Sequence, residues 1–92
     1  MKVYEFDRKE FVWAEEFYEI LQDRMNFPEW FGKNPDALWD MLTGFVEMPC
    51  EIVLKGFQTK ENNYNANELN KIIACFEDAT KLYPNQFHLT KK

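Results

Sequence analysis

Glycine, cysteine and histidine are scarce in this 92-residue chain, which has three, two and one of them. Two cysteines, Cys50 and Cys75, are too few for a disulfide scaffold and form no CxxC pair. Reduced, partly buried thiols are the expected state. The lone His88 has no serine, cysteine or carboxylate near it at a catalytic spacing, so a structural or surface role is expected. No GxGxxG, Walker A, HExxH or GxSxG signature occurs, and phosphate-cradling, zinc-peptidase and hydrolase chemistries lack their first requirement. No run of about 18 apolar residues exists to span a membrane. The opening MKVYEFDRKEF is broken by charges where a secretory leader needs an apolar stretch, so a cytoplasmic location is expected. Repeats, low-complexity tracts and linkers are missing too, and residues 1–92 read as a single domain.

What the chain does have is apolar surface and acid. Hydrophobic residues make up 46% and aromatics 17%, enough to favour a packed core over disorder. Sixteen Asp and Glu against eleven Lys and Arg give a net charge of -5. Such a charge repels phosphate backbones and anionic lipid, so neither nucleic acid nor a membrane is an expected partner, whereas a basic protein gains from the field.

Lys2 to Phe6 alternates in the manner of a short strand before the turn-like Asp7-Arg8-Lys9. Trp13, Phe17, Ile20, Leu21 and Met25 then recur at steps of three and four with acids between them, which predicts an amphipathic helix ending before Pro28. A second helix is predicted over Pro35 to Thr43. Asn34 can cap it, Pro35 suits its first position, Asp36 complements the positive end of its dipole, and Gly44 stops it. Cys50 to Leu54 reads as a central strand. The polar stretch Phe57 to Asn67 predicts one weak helical turn within a loop. Leu69, Ile72, Ile73, Phe76, Thr80 and Tyr83 share a helical face up to Pro84, and Gln86 to Thr90 reads as a last strand. Strands separated by helical crossovers favour an α/β fold with a parallel sheet.

The second helix carries the chemistry. At about 100° per residue, Ala37, Leu38, Met41 and Leu42 spread over one side, while Asp36, Trp39, Asp40 and Thr43 cluster on the other. An aromatic anchor flanked by two carboxylates and a hydroxyl has the composition of a protein interface. The other reading of the same pattern is a short helix buried on both faces, with Trp39 under a neighbouring loop.

The segment Pro28-Glu29-Trp30-Phe31-Gly32-Lys33-Asn34-Pro35-Asp36-Ala37-Leu38-Trp39-Asp40-Met41-Leu42-Thr43-Gly44-Phe45, running on to Pro49, resembles the signature of the barstar family, intracellular inhibitors of barnase-type ribonucleases. The resemblance implies a three-stranded parallel sheet packed with about four helices, no catalytic activity, no metal and no cofactor. It implies one partner, a basic microbial ribonuclease bound one to one, as in immunity or antitoxin systems, by an inhibitor that is a monomer when free. The aromatic loop and the second helix would plug the enzyme's cleft and set carboxylates where RNA phosphates bind. Carried over residue by residue, Asp40 is the central acid and Asp36 its support, Trp39 packs at the edge, and Thr43 hydrogen-bonds. Trp30 and Phe31 cover the cleft, Gly32 permits close backbone approach beside Asn34, and Phe45 is a contacting aromatic. A third acid on the last helix matches Asp78, about 180° from the apolar stripe, where it could equally be an ordinary solvated carboxylate.

The chain departs from the family where Trp30 and Phe31 lack the phenolic hydroxyls of tyrosine, and where Leu82 stands in place of a further acid. Two other functions compete: a barstar-like acidic module for a different basic protein, and a small enzyme or metal site built on Asp36 and Asp40, one helical turn apart.

Overall fold

The computed structural model describes residues 1–57 and 63–92. Along the chain run β1 (Lys2–Asp7), α1 (Ala14–Arg24), α2 (Pro35–Gly44), β2 (Cys50–Lys55), α3 (Tyr64–Leu82) and β3 (Phe87–Lys91). The strands form one parallel sheet in the order β1-β2-β3, with Tyr4 beside Ile52 and Ile52 beside Leu89. The expected α/β class and parallel sheet are both present.

One face of the sheet is packed. Phe6, Cys50, Ile52, Leu54 and Phe87 point into a core shared with Phe17 and Leu21 of α1, Leu38 and Leu42 of α2, and Leu69, Ile72 and Phe76 of α3. The period of two along each strand puts Val3, Glu5, Glu51, Val53, Lys55, His88 and Thr90 on the other face. Of these only Val53 is buried, and His88 is exposed, as a surface histidine should be. Parallel sheets are ordinarily covered on both sides, which makes this open face unusual. Glu5 and Lys55 pair across it at 3.9 Å.

The helices differ in detail from the expectation of four. Among the described residues there are three α-helices, plus a single 3-10 turn at Arg8–Glu10 where the sequence reads as a bend. The weak turn expected within Phe57 to Asn67 falls partly on residues 58–62, outside the described residues. Its remainder is the first turn of α3, which therefore starts at Tyr64 rather than near Leu69. The asparagines that suggest a loop are fastenings here. The Asn63 side chain accepts from the Ala66 N–H at 2.8 Å and caps α3. Asn65 accepts from the Ala14 N–H and donates to the Val12 carbonyl, both at 2.8 Å, tying α3 to the start of α1. Trp13, counted on the apolar face of the first helix, instead precedes it and is exposed. The Glu16 carboxylate accepts from its backbone N–H at 2.9 Å, which sets the helix start one residue later.

A polar knot closes the β1–α1 end. Arg24 pairs with Glu10, donates to the Glu5 carbonyl at 2.8 Å and lies over the Phe6 ring. The Arg24 hydrogen bond, then the Asp7 N–H, lower the Glu10 carboxyl from its ordinary 4.5 to about 2. A depressed acid stabilises the fold fully above its unfolded value and loses that contribution as pH falls. Wild type is therefore expected to lose stability more steeply than Glu10→Gln between pH 4.5 and 2, with the two converging near pH 2. Urea midpoints across that range test this, and parallel curves would refute it.

Candidate functional site

The aromatic loop between α1 and α2 is built from inside. Phe31 is only 4% exposed and packs on Phe27 and Tyr18, with ring centroids 5.0 and 6.1 Å away. This corrects the expectation that Phe31 covers a partner's cleft alongside Trp30, because its ring is occupied by the protein's own core. Trp30, by contrast, is 74% exposed. The Phe31 N–H donates to the Pro28 carbonyl at 3.0 Å, and the Gln22 side chain donates to the same carbonyl at 2.8 Å. Tyr18 carries a buried hydroxyl without a hydrogen-bond partner among the described residues, and burial raises its pKa.

Gly32 matters for volume rather than for rotation. It is Lys33, at φ 52°, that takes the left-handed conformation. A Cβ on Gly32 would sit 3.2 Å from the Ala37 Cβ and 3.3 Å from the Asn34 side chain, tighter than ordinary contact. The Asn34 side chain accepts from the Ala37 N–H at 2.7 Å and donates to the Gly32 carbonyl at 3.3 Å. Asn34 thus uses its side chain to start α2 as expected. Lys33 reaches Glu19 of α1 at 4.0 Å.

On α2 itself, Leu38, Met41 and Leu42 are buried while Asp36 and Asp40 are exposed. Trp39 lies between the two readings of the helical pattern: half-buried, with part of its ring against the core and part in solvent. The Thr43 hydroxyl donates to the Trp39 carbonyl at 2.8 Å. Phe45, directly after the helix, is 46% exposed and meets Phe27 edge-on at 6.0 Å. α2 therefore projects two carboxylates from a rigid base and is bordered by Trp30 and Phe45.

α3 packs beside α2 and brings Asp78 to the junction. The Cys75 thiol donates to the Pro35 carbonyl at 3.6 Å. Burial first, then the Asp78 and Asp36 carboxylates, push that thiol's pKa up. Asp78 is exposed and follows by three residues the Cys75 whose thiol bonds to the first residue of α2. Leu82, one turn further along α3 on the same side, is 54% exposed. Cys50 and Cys75 are both free thiols.

The arrangement is a surface, not a pocket. A concavity of about 940 Å³ follows β3 and is lined by residues including Glu51, Glu77, His88 and Lys91, none belonging to this face. Among the described residues no group of three or more His, Cys, Asp or Glu could hold a metal, and Asp36 and Asp40 gain no third ligand. Nor is any described helix long and apolar enough to cross a membrane.

The chain matches the family described as "Barstar (barnase inhibitor)" over residues 1–91. It belongs to the barstar family. One relative, of Bacillus subtilis strain 168 and named "Putative ribonuclease inhibitor YrdF", is 31% identical over 83 residues, covering 90% of this chain and 90% of its own. The barstar match thus extends through α3 and all of β3, well beyond the loop and helix where the resemblance is legible by eye. Two residues at the barstar face escape the sequence reading altogether. Cys75 reads only as a thiol and Tyr83 only as an apolar position, and neither pattern signals that both side chains bond to the backbone of α2.

Proposed function

We propose that this protein inhibits a basic ribonuclease of the barnase type by seating α2 and the Trp30 edge of the aromatic loop in the enzyme's cleft. The observation that carries the reading is the pair of exposed carboxylates on α2, Asp36 and Asp40, flanked by exposed Trp30 and Phe45 on a chain of net charge -5. Membership of the barstar family and the name of the Bacillus subtilis relative support it.

Asp40 stands in for an RNA phosphate against the enzyme's cations, Asp36 and Asp78 add charge around it, and the aromatics displace water at the rim. No chemistry is performed on a substrate, and inhibition is occlusion. Complementary charge speeds encounter and is weakened by salt, while the close ion pairs mainly slow dissociation. The barnase–barstar pair is itself a standard example of this behaviour. The complex is one to one, with an interface of about 1,600 Å². The tyrosine hydroxyl that Trp30 lacks, and the acid that Leu82 replaces, tune which nuclease fits best.

The test is titration of purified protein into barnase while RNA cleavage is followed. Loss of activity reaching completion at about one equivalent, with the association rate falling as salt is raised, is the expected result. Undiminished cleavage at a large excess of protein, with barnase and with other basic microbial ribonucleases, would overturn the proposal and favour a different basic partner.

A further inference from the structure

α2 and α3 are cross-linked twice, and the two links share one offset. The Cys75 thiol donates to the Pro35 carbonyl at 3.6 Å, and the Tyr83 hydroxyl donates to the Thr43 carbonyl at 3.4 Å. Each pair is separated by 40 positions in sequence. The first link joins early residues of the pairings and the second joins later ones, so the helices run side by side in the same direction. Parallel packing sets like ends of two helix dipoles together, so electrostatics does not hold this arrangement in register. Both bonds are long and individually weak. Their use is geometric, because one grips each end of a ten-residue helix. The Thr43 carbonyl is one of the terminal acceptors of α2 without an intrahelical donor, and α2 has no basic residue in its last turn to serve them.

A constant offset also fixes heights. Asp36 and Asp40 on α2 and Asp78 on α3 all fall between the two links, so the links hold the three carboxylates at set heights along the paired axes. Slipping α3 by one residue would move Asp78 by about 1.5 Å relative to both.

We propose that Cys75 and Tyr83 are positioning residues that lock α2 in register with α3, so that Asp36, Asp78 and Asp40 meet a nuclease as one preset triangle of charge. This rests on the inhibitor reading, and it locates part of the affinity in two side chains that need not touch the partner. Preorganisation of this kind acts on dissociation more than on encounter, since the charges themselves are unchanged.

Tyr83→Phe and Cys75→Ala are the informative variants. Against barnase, each is expected to raise koff about three- to tenfold while kon and its salt dependence stay at wild-type values. In the free protein, amide exchange at Phe45 and Val46, which donate to the Met41 carbonyl at the end of α2, is expected to accelerate while α1 is unaffected. Glu10→Gln, which loosens the fold through the distant Arg24 knot, is the control and should leave koff unchanged. An equal rise in koff for Glu10→Gln would reduce the effect to general stability and overturn the proposal, as would unchanged koff in the two variants. If wild type itself does not bind barnase, the inhibitor reading fails on that enzyme, while unaltered exchange at the end of α2 would separately refute the lock.

Discussion

Replacing Asp40 by alanine should weaken binding to barnase by about 3 kcal/mol or more, roughly a hundredfold in Kd, with most of the change in koff. The loss is large because the partner's cations, stripped of water in the complex, would lose the anion that compensates them. The same substitution should leave the free protein as stable as before or slightly more so. Asp36 and Asp40 are like charges one turn apart, which costs a helix about 0.2–0.5 kcal/mol. Asp40 also lies in the C-terminal half of α2, where negative charge opposes the dipole, and alanine is the better helix former. Surface plasmon kinetics and urea melts on one preparation decide the matter. Asp40→Asn should reproduce the binding loss, because shape is retained and charge is not. Tight binding by Asp40→Ala would remove Asp40 from the centre of the interface. A large fall in stability would show instead that this carboxylate holds the fold together.

That opposition between local stability and charge explains why α2 could be read from the sequence so fully. Its signals are all local: the Asn34 cap, Pro35 in the first turn, an apolar side of Leu38, Met41 and Leu42, and acids where a helix left to itself would not place both. The strands were legible for a similar reason, as short β-branched or alternating runs between turn residues. What depended on distant partners was not. Asn65 reads as loop until α1 is packed beside it, and Trp13 fits a helical period although Glu16 starts the helix one residue later. Asp78 can be placed in solvent from its angle on α3. Its place beside α2 exists only once the two helices are joined through Cys75 and Pro35.

The aromatic loop shows the same limit at the site itself. Trp30 and Phe31 are adjacent, bulky and apolar, and no period distinguishes them, so both read as contact residues. The structure separates them, one 74% exposed and the other 4%. Burial of Phe31 against Tyr18 and Phe27, with Gly32 too small to push Ala37 away, is what lets the loop lie flat against the helix it serves. Affinity and foldability are thereby divided between neighbours along the chain.

This division yields the second large effect. Phe31→Ala should cost about 3–5 kcal/mol of folding stability, the usual range for emptying a buried phenylalanine site. At about 0.05–0.15 kcal/mol per residue a chain of this length holds only roughly 5–14 kcal/mol, so the variant should be marginal near physiological temperature. Trp30→Ala should stay within about 0.5 kcal/mol of wild type in stability and lose roughly tenfold or more in affinity for barnase, as exposed tryptophans that become interface anchors do. Phe31→Leu separates volume from aromaticity: most of the stability should return, because the core keeps an apolar filling of similar reach. The measurement is a denaturant melt and a binding titration on each of the three variants, the titration run well below the melting midpoint of Phe31→Ala so that only folded protein is compared. Under those conditions folded Phe31→Ala should lose less affinity than Trp30→Ala. The reverse order, with Phe31→Ala stable and non-binding, would mean that the ring leaves the core to meet the partner and that the loop opens on association.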